Sequence, residues 1–220
     1  MKTTYVERTI KGTRWEGSLD GGKTWHRGVP VSFTAENAEK CFDGRKTQTR
    51  RLMDPQPKSL NWAGGNASGG ISVGGRDWHP RFCIGDIFYI REPWRTDMAY
   101  DKIKPTDLPC GAPILFDCAL DPKGYQNPGK LRPAMFLQRR FARPARYQVT
   151  AVRCERVDQI GEEDAQAEGI EWRQYGIHPK RSTTICRNGF EKLWNSIHTK
   201  PGTRFEDSPW VWAYTFKRVV

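Results

Sequence analysis

The chain has 220 residues, with 36 lysines and arginines against 25 aspartates and glutamates, for a formal net charge of +11. That length can bury a core without disulfide or metal staples. A mean hydropathy of -0.75, with no window near the ~18 apolar residues of a membrane span, excludes a helical membrane protein. The opening residues, MKTTYVERTIKGTRWEG, lack the apolar run of a secretory signal, so a cytoplasmic protein is expected.

Residues 1–28 read as an N-terminal β-hairpin extension. Ser18, Asp20, Gly22, Thr24 and Trp25 fit the pattern S-x-D-x-G-x-T-W, and Asp-Gly between strand-like flanks is a turn signal. Val29 to Phe33 is a short strand. Thr34 is then placed to cap a helix. Ala35, Ala38, Cys41 and Phe42 fall on one helical face, and Gly44 stops it. The next stretch, GRKTQTRR (44–51), interleaves four cations with two threonines and an amide, and its threonines favour a strand.

Residues 54 to 80 form a long insertion, glycine-rich between Gly64 and Gly75, with Trp62 and Trp78 on its shoulders. A loop of that length is functional or disordered. Gly85 to Trp94 reads as turn, strand and proline stop. A second insertion, 95–131, holds one candidate strand, Ala112 to Leu120. Arg146 to Val157 alternates as a strand should. Ile160 to Gly169 is a short helix, with Glu162, Glu163 and Asp164 in the turn that favours acids. Asn188 caps a helix running to Ile197, and Trp210 to Phe216 is a terminal strand. Strands with short helices between them point to α+β or a small β-barrel.

Between Arg132 and Arg156 there are seven arginines, no lysine and one acid, Glu155. Arginine is the better fork for phosphate, so Arg139, Arg140, Arg143 and Arg146 are candidate nucleic-acid backbone contacts. The six cysteines show no CxxC spacing and the four histidines are scattered. No metal site or cofactor is expected, and the thiols read as free and mostly buried.

In order, GRKTQTRR, GDIFYIREPW, ERVDQIGEEDAQAEGI, FEKLWNSI and SPWVWAYTF resemble the ASCH-domain proteins, in particular the versions common in bacteriophage genomes. The resemblance covers residues 29–220. It implies a PUA-like small β-barrel with short flanking helices, binding RNA, DNA or a modified nucleoside, in the host cytoplasm if phage-encoded. Small bacterial members remove the acetyl group from N4-acetylcytidine, with a G-R-K-T-x-T-x-R motif. Carried over, their catalytic lysine, threonine and glutamate fall on Lys46, Thr49 and Glu168. This chain is about twice as long as those minimal enzymes, as the family resemblance sizes them.

Deacetylation needs a nucleophile, a base, an acid for the leaving nitrogen and donors for the oxyanion. Thr49 is the candidate nucleophile, Lys46 its base, and Glu168 the acid or orienter. Strict alternation along 46–49 would put Lys46 and Thr49 on opposite faces, so cooperation needs a turn or bulge between them. Arg50, Arg51, Arg91, Glu92 and Trp94 are candidate substrate contacts. The alternatives are a non-catalytic RNA- or DNA-binding module, a metal-independent ribonuclease, and a phage accessory protein binding a host protein through residues 54–80 and 95–131.

Overall fold

A computed structural model describes residues 4–10, 14–57, 71–73, 76–116, 127–171 and 185–220. Their strands are β1 (Val6–Thr9), β2 (Trp15–Ser18), β3 (His26–Ser32), β4 (Gln48–Leu52), β5 (Ile71–Val73), β6 (Arg76–Trp78), β7 (Ile87–Arg91), β8 (Trp94–Arg95), β9 (Leu115–Phe116), β10 (Tyr147–Arg156) and β11 (Trp210–Arg218). The helices are α1 (Ala35–Phe42), α2 (Glu162–Ala167) and α3 (Ile185–Ile197), with short 3-10 turns besides. The protein is α+β and rich in sheet. Trp62 and residues 58–70 of the glycine-rich insertion lie outside the described residues.

The chain divides into two compact units. One comprises Met1–Asp43, Asp86–Gln148 and Arg218–Val220; the other comprises Gly44–Gly85 and Val149–Lys217. In the first unit, β1, β2 and β3 form an antiparallel meander. Strand β3 then runs parallel to β7 from Gly28↔Ile87 to Ser32↔Arg91, and β7 pairs antiparallel with the start of β10. In the second unit, the rest of β10 neighbours β11, which pairs antiparallel with β4. The ladder order through β10 is β1-β2-β3-β7-β10-β11-β4. Among the described residues this is a mixed sheet of seven strands whose end strands, β1 and β4, are not paired with each other, and they do not form the closed barrel expected from the resemblance.

Local chemistry explains several elements. Thr34 accepts the Asn37 N–H at 3.3 Å and so caps α1. Gly44 follows the helix at φ +84°, a conformation that glycine adopts without penalty. The turn between β2 and β3 is held by Ser18 and Asp20. The Ser18 hydroxyl donates to Asp20 at 2.7 Å, and Asp20 accepts the N–H groups of Lys23 and Thr24 at 2.9 and 2.8 Å. These bonds, the Thr24 N–H first, hold the Asp20 carboxyl well below its ordinary range.

Helix α3 starts at Ile185, earlier than its sequence predicts. Asn188 therefore lies inside it and not at its cap. The reason is tertiary: the Glu162 carboxylate accepts the N–H of Cys186 at 2.7 Å and of Arg187 at 3.0 Å. A distant acid does the work of a local cap. The predicted strand over Ala112–Leu120 is described only to Phe116, where it is the two-residue β9.

The second unit's core joins Val157, Ala165, Phe190, Trp194, Phe205 and Val211. Burying each such aromatic contributes about 1.5–3 kcal/mol. The first unit has one cluster around Trp94, Leu108, Leu137 and Phe141, and a smaller one of Trp15, Ile87 and Tyr89.

Candidate functional site

Strand β4 carries the GRKTQTRR motif into the second unit. Its ladder with β11 runs without interruption from Gln48↔Thr215 to Leu52↔Val211. Side chains alternate along such a ladder, so Gln48, Arg50 and Leu52 share one face while Thr49 and Arg51 take the other. Leu52 packs with Val211 and the α3 aromatics. Ahead of the ladder, the Thr47 N–H donates to Ala167 O at 2.8 Å and its carbonyl accepts from Phe216 N at 2.9 Å. Lys46 forms a backbone bridge with Glu168. The motif is thus pinned at once to β11 and to the end of α2.

These contacts assemble a charged cluster in which Lys46, Arg50 and Glu168 are buried and Glu155, Asp164 and Arg153 are partly exposed. The Lys46 ammonium donates to Glu168 Oε2 at 2.5 Å and to the Glu168 carbonyl at 2.8 Å. The side chains of Lys46 and Glu168 are 3% and 4% exposed. Arg50, whose side chain is fully buried, reaches Glu155 at 2.7 Å, Asp164 at 2.8 Å and Glu168 at 3.2 Å. Gln48 donates to Asp164 at 2.8 Å, and Arg153 pairs with both Asp164 and Glu155. Three cations thus meet three carboxylates. Burial works against the Arg50 charge, yet Glu168, then Glu155 and Asp164, hold its guanidinium above the ordinary value. Burial likewise opposes the Asp164 charge, but the Gln48 hydrogen bond and the Arg50 and Arg153 charges keep its carboxyl below the ordinary range.

The structure therefore joins Lys46, Glu168 and Arg50. It places Thr49 on the opposite face of β4 from Arg50 and its carboxylates, across from Tyr214. Arg51 lies on the Thr49 face. Near it, a cavity of about 470 Å³ is lined by Met53, Asp54, Gln56, His198 and Lys200 among others. Burial, then the nearby Arg51 charge, lowers the His198 pKa.

The remaining candidates belong to the first unit. Trp94 is fully buried and stacks on Phe141 with centroids 6.5 Å apart, so it is a core side chain here. Glu92 is also fully buried and pairs with Arg143 at 3.0 Å. Arg143 further meets Glu39 at 3.4 Å, and Arg146 holds Glu7 at 2.6 Å. Arg91, Arg139 and Arg140 instead line one cleft of that unit.

Sequence reasoning missed Glu155, Asp164 and Arg153 as partners of the motif. Asp164 reads in sequence as a helix-start acid. Its place opposite Gln48 depends on how α2 lies over β4, which no local pattern encodes.

No family model matches the chain, and no curated protein matches it. Among solved structures, it is similar to the crystal structure of a protein from Enterococcus faecalis V583 described under the family model DUF984. The TM-score is 0.38 and the identity 13%, over 87% of this chain and 80% of that one. Values at that level do not fix a fold family.

Proposed function

We propose that this protein recognises a modified nucleoside, free or within nucleic acid, and hydrolyses an N4-acyl group from cytidine at a centre built on Lys46 and Glu168. The observation that carries this reading is the buried Lys46–Glu168 pair. The two residues are 122 positions apart in sequence, and the motif resemblance names them as partners. Under this reading the fold is a PUA-like variant whose sheet stays open, and the protein is ASCH-like.

The reaction consumes water. The acyl carbon–N4 bond breaks, the acyl carbon gains an oxygen, and N4 takes a proton to leave as the cytidine amine. Glu168 fixes the Lys46 amine through two hydrogen bonds. Lys46 then manages the proton at the attacking oxygen and at N4. With Thr49 as nucleophile, its oxygen bonds the acyl carbon as N4 leaves, and water then cleaves that ester, releasing the acid and restoring the hydroxyl.

The position of Thr49 on the other face of β4 favours a second reading, recognition without catalysis. Turnover of N4-acetylcytidine and a panel of other N4-acylcytidines separates the two, with cytidine release followed by chromatography. Hydrolysis lost in both Lys46→Ala and Glu168→Ala supports the enzyme reading. Turnover surviving in Thr49→Ala assigns the nucleophile to water. Absence of turnover across the panel, with nucleic acid still bound, supports the binding module.

A further inference from the structure

The first unit contains a cleft of about 860 Å³, within the size range of ligand sites. Trp15 and Tyr89 line it, but each is only 4% exposed and packs with Ile87 in the core, so neither offers a free ring face. The exposed apolar surface of the cleft lies instead on the 3-10 turn Ala134–Phe136, where Met135 and Phe136 are 62% and 50% exposed. Hydrogen bonds fix that turn: the Phe136 N–H donates to the Pro133 carbonyl at 3.1 Å and the Leu137 N–H to the Ala134 carbonyl at 3.0 Å. Leu137 then anchors it, fully buried in the cluster of Trp94 and Phe141. Two neighbouring large apolar side chains are thus held in solvent at the edge of a charged cleft, which is a mark of a contact surface.

Four cations line the cleft: Arg91, Lys104, Arg139 and Arg140. No lining residue is acidic. Arg139 is paired with Glu7. The other three carry no carboxylate partner among the described residues. Two of them are fixed in direction with donors to spare. Arg140 donates through Nη2 to the carbonyls of Thr106 and Leu108 at 3.2 and 2.9 Å, and its Nε has no partner among the described residues. Arg91 donates through Nε to the Tyr89 hydroxyl at 3.3 Å, which leaves both terminal nitrogens of its fork for an incoming group. A carboxylate matches such a fork.

We infer that this cleft docks an acidic peptide segment of a partner protein, with an aromatic or aliphatic side chain packed on Met135 and Phe136 and carboxylates paired with Arg91, Lys104 and Arg140. Unneutralised cations beside exposed apolar side chains complement a segment that carries acidic and apolar residues together. Stacked bases would need free aromatic faces in the wall, and Trp15 and Tyr89 present none. The inference does not depend on Lys46, which belongs to the other unit.

The test is fluorescence anisotropy of the full chain with a labelled peptide that has a central phenylalanine flanked on both sides by glutamates. Binding is expected, and it should weaken as salt is raised. The same peptide with glutamines for glutamates should bind about tenfold or more weakly, since it brings no charge to the cleft. Lys104→Glu/Arg140→Glu should weaken binding of the acidic peptide by about tenfold or more, because it sets like charges against each other. Met135→Ser/Phe136→Ser, which alters only exposed side chains, should weaken it by about threefold or more through lost apolar contact. Lys23→Glu/Lys217→Glu removes the same net charge as the first variant outside the cleft and should change affinity less than about threefold. No binding of the acidic peptide, equal binding of the glutamine peptide, equal weakening by the cleft variants and the Lys23/Lys217 control, or tighter binding of an oligothymidylate that the cleft variants abolish would overturn the inference.

Discussion

The Arg50 side chain, itself without solvent exposure, holds three carboxylates, of which Glu168 is buried and is shared with Lys46. Removing one partner from such a cluster strands the other charge. Glu168→Leu should therefore cost about 3–5 kcal/mol, read as a lower urea midpoint at unchanged slope. Arg50 would keep Glu155 and Asp164, so the cost falls chiefly on Lys46, which loses this carboxylate and keeps the carbonyl of residue 168. Replacing both, as Lys46→Met/Glu168→Leu, removes the stranded charge and should restore most of the loss. A double variant as unstable as the single one would show that the pair is not the unit of stability here. At this scale, the motif resemblance named Lys46 and Glu168 as partners from sequence. Glu155 and Arg153 stayed hidden because their side chains reach Arg50 and Asp164 only once β10 and α2 are in place.

Elements were legible wherever the signal was local. Helix α1 has its threonine cap, apolar face and glycine stop within eleven residues of sequence, Thr34 to Gly44. Strand β10 alternates visibly and forms from Tyr147 to Arg156. The start of α3 was not legible, because Glu162 caps it from another helix. Glu162→Ala should cost about 1 kcal/mol, as loss of a capping oxygen does, with faster amide exchange confined to the first turn of α3. Asn188→Ala, inside the helix, should lack that signature. The reverse pattern would place the cap where sequence predicts it. The open sheet was also illegible: strand order depends on pairings such as β3 with β7, across more than fifty residues, which alternation cannot specify.

For the molecule as a whole, ionisable groups set a pH dependence of known sign. The Glu7 and Asp164 carboxyls lie below their ordinary range despite opposing burial. Glu7 is held there by Arg146, Tyr5 and Arg139, and Asp164 by Gln48, Arg50 and Arg153. Unfolded carboxylates titrate near about 4. Their contribution is complete above that value and is lost as pH falls through the lower folded values. His198 is also lowered, first by burial and then by Arg51. Its contribution is present above the unfolded value of about 6.5 and fades as pH falls through the folded one. The urea midpoint should therefore decline in two stages on acidification, and His198→Gln should remove the upper stage alone. A midpoint constant from neutrality down to the carboxylate range would refute the His198 assignment.

The most direct test of the functional account is a single-turnover time course of cytidine release from N4-acetylcytidine. It would compare the wild-type protein with Lys46→Met/Glu168→Leu, a variant expected to fold without the charged pair. The account predicts release by the wild type and none above background by the variant. No release by the wild type, or equal release by both, would contradict it.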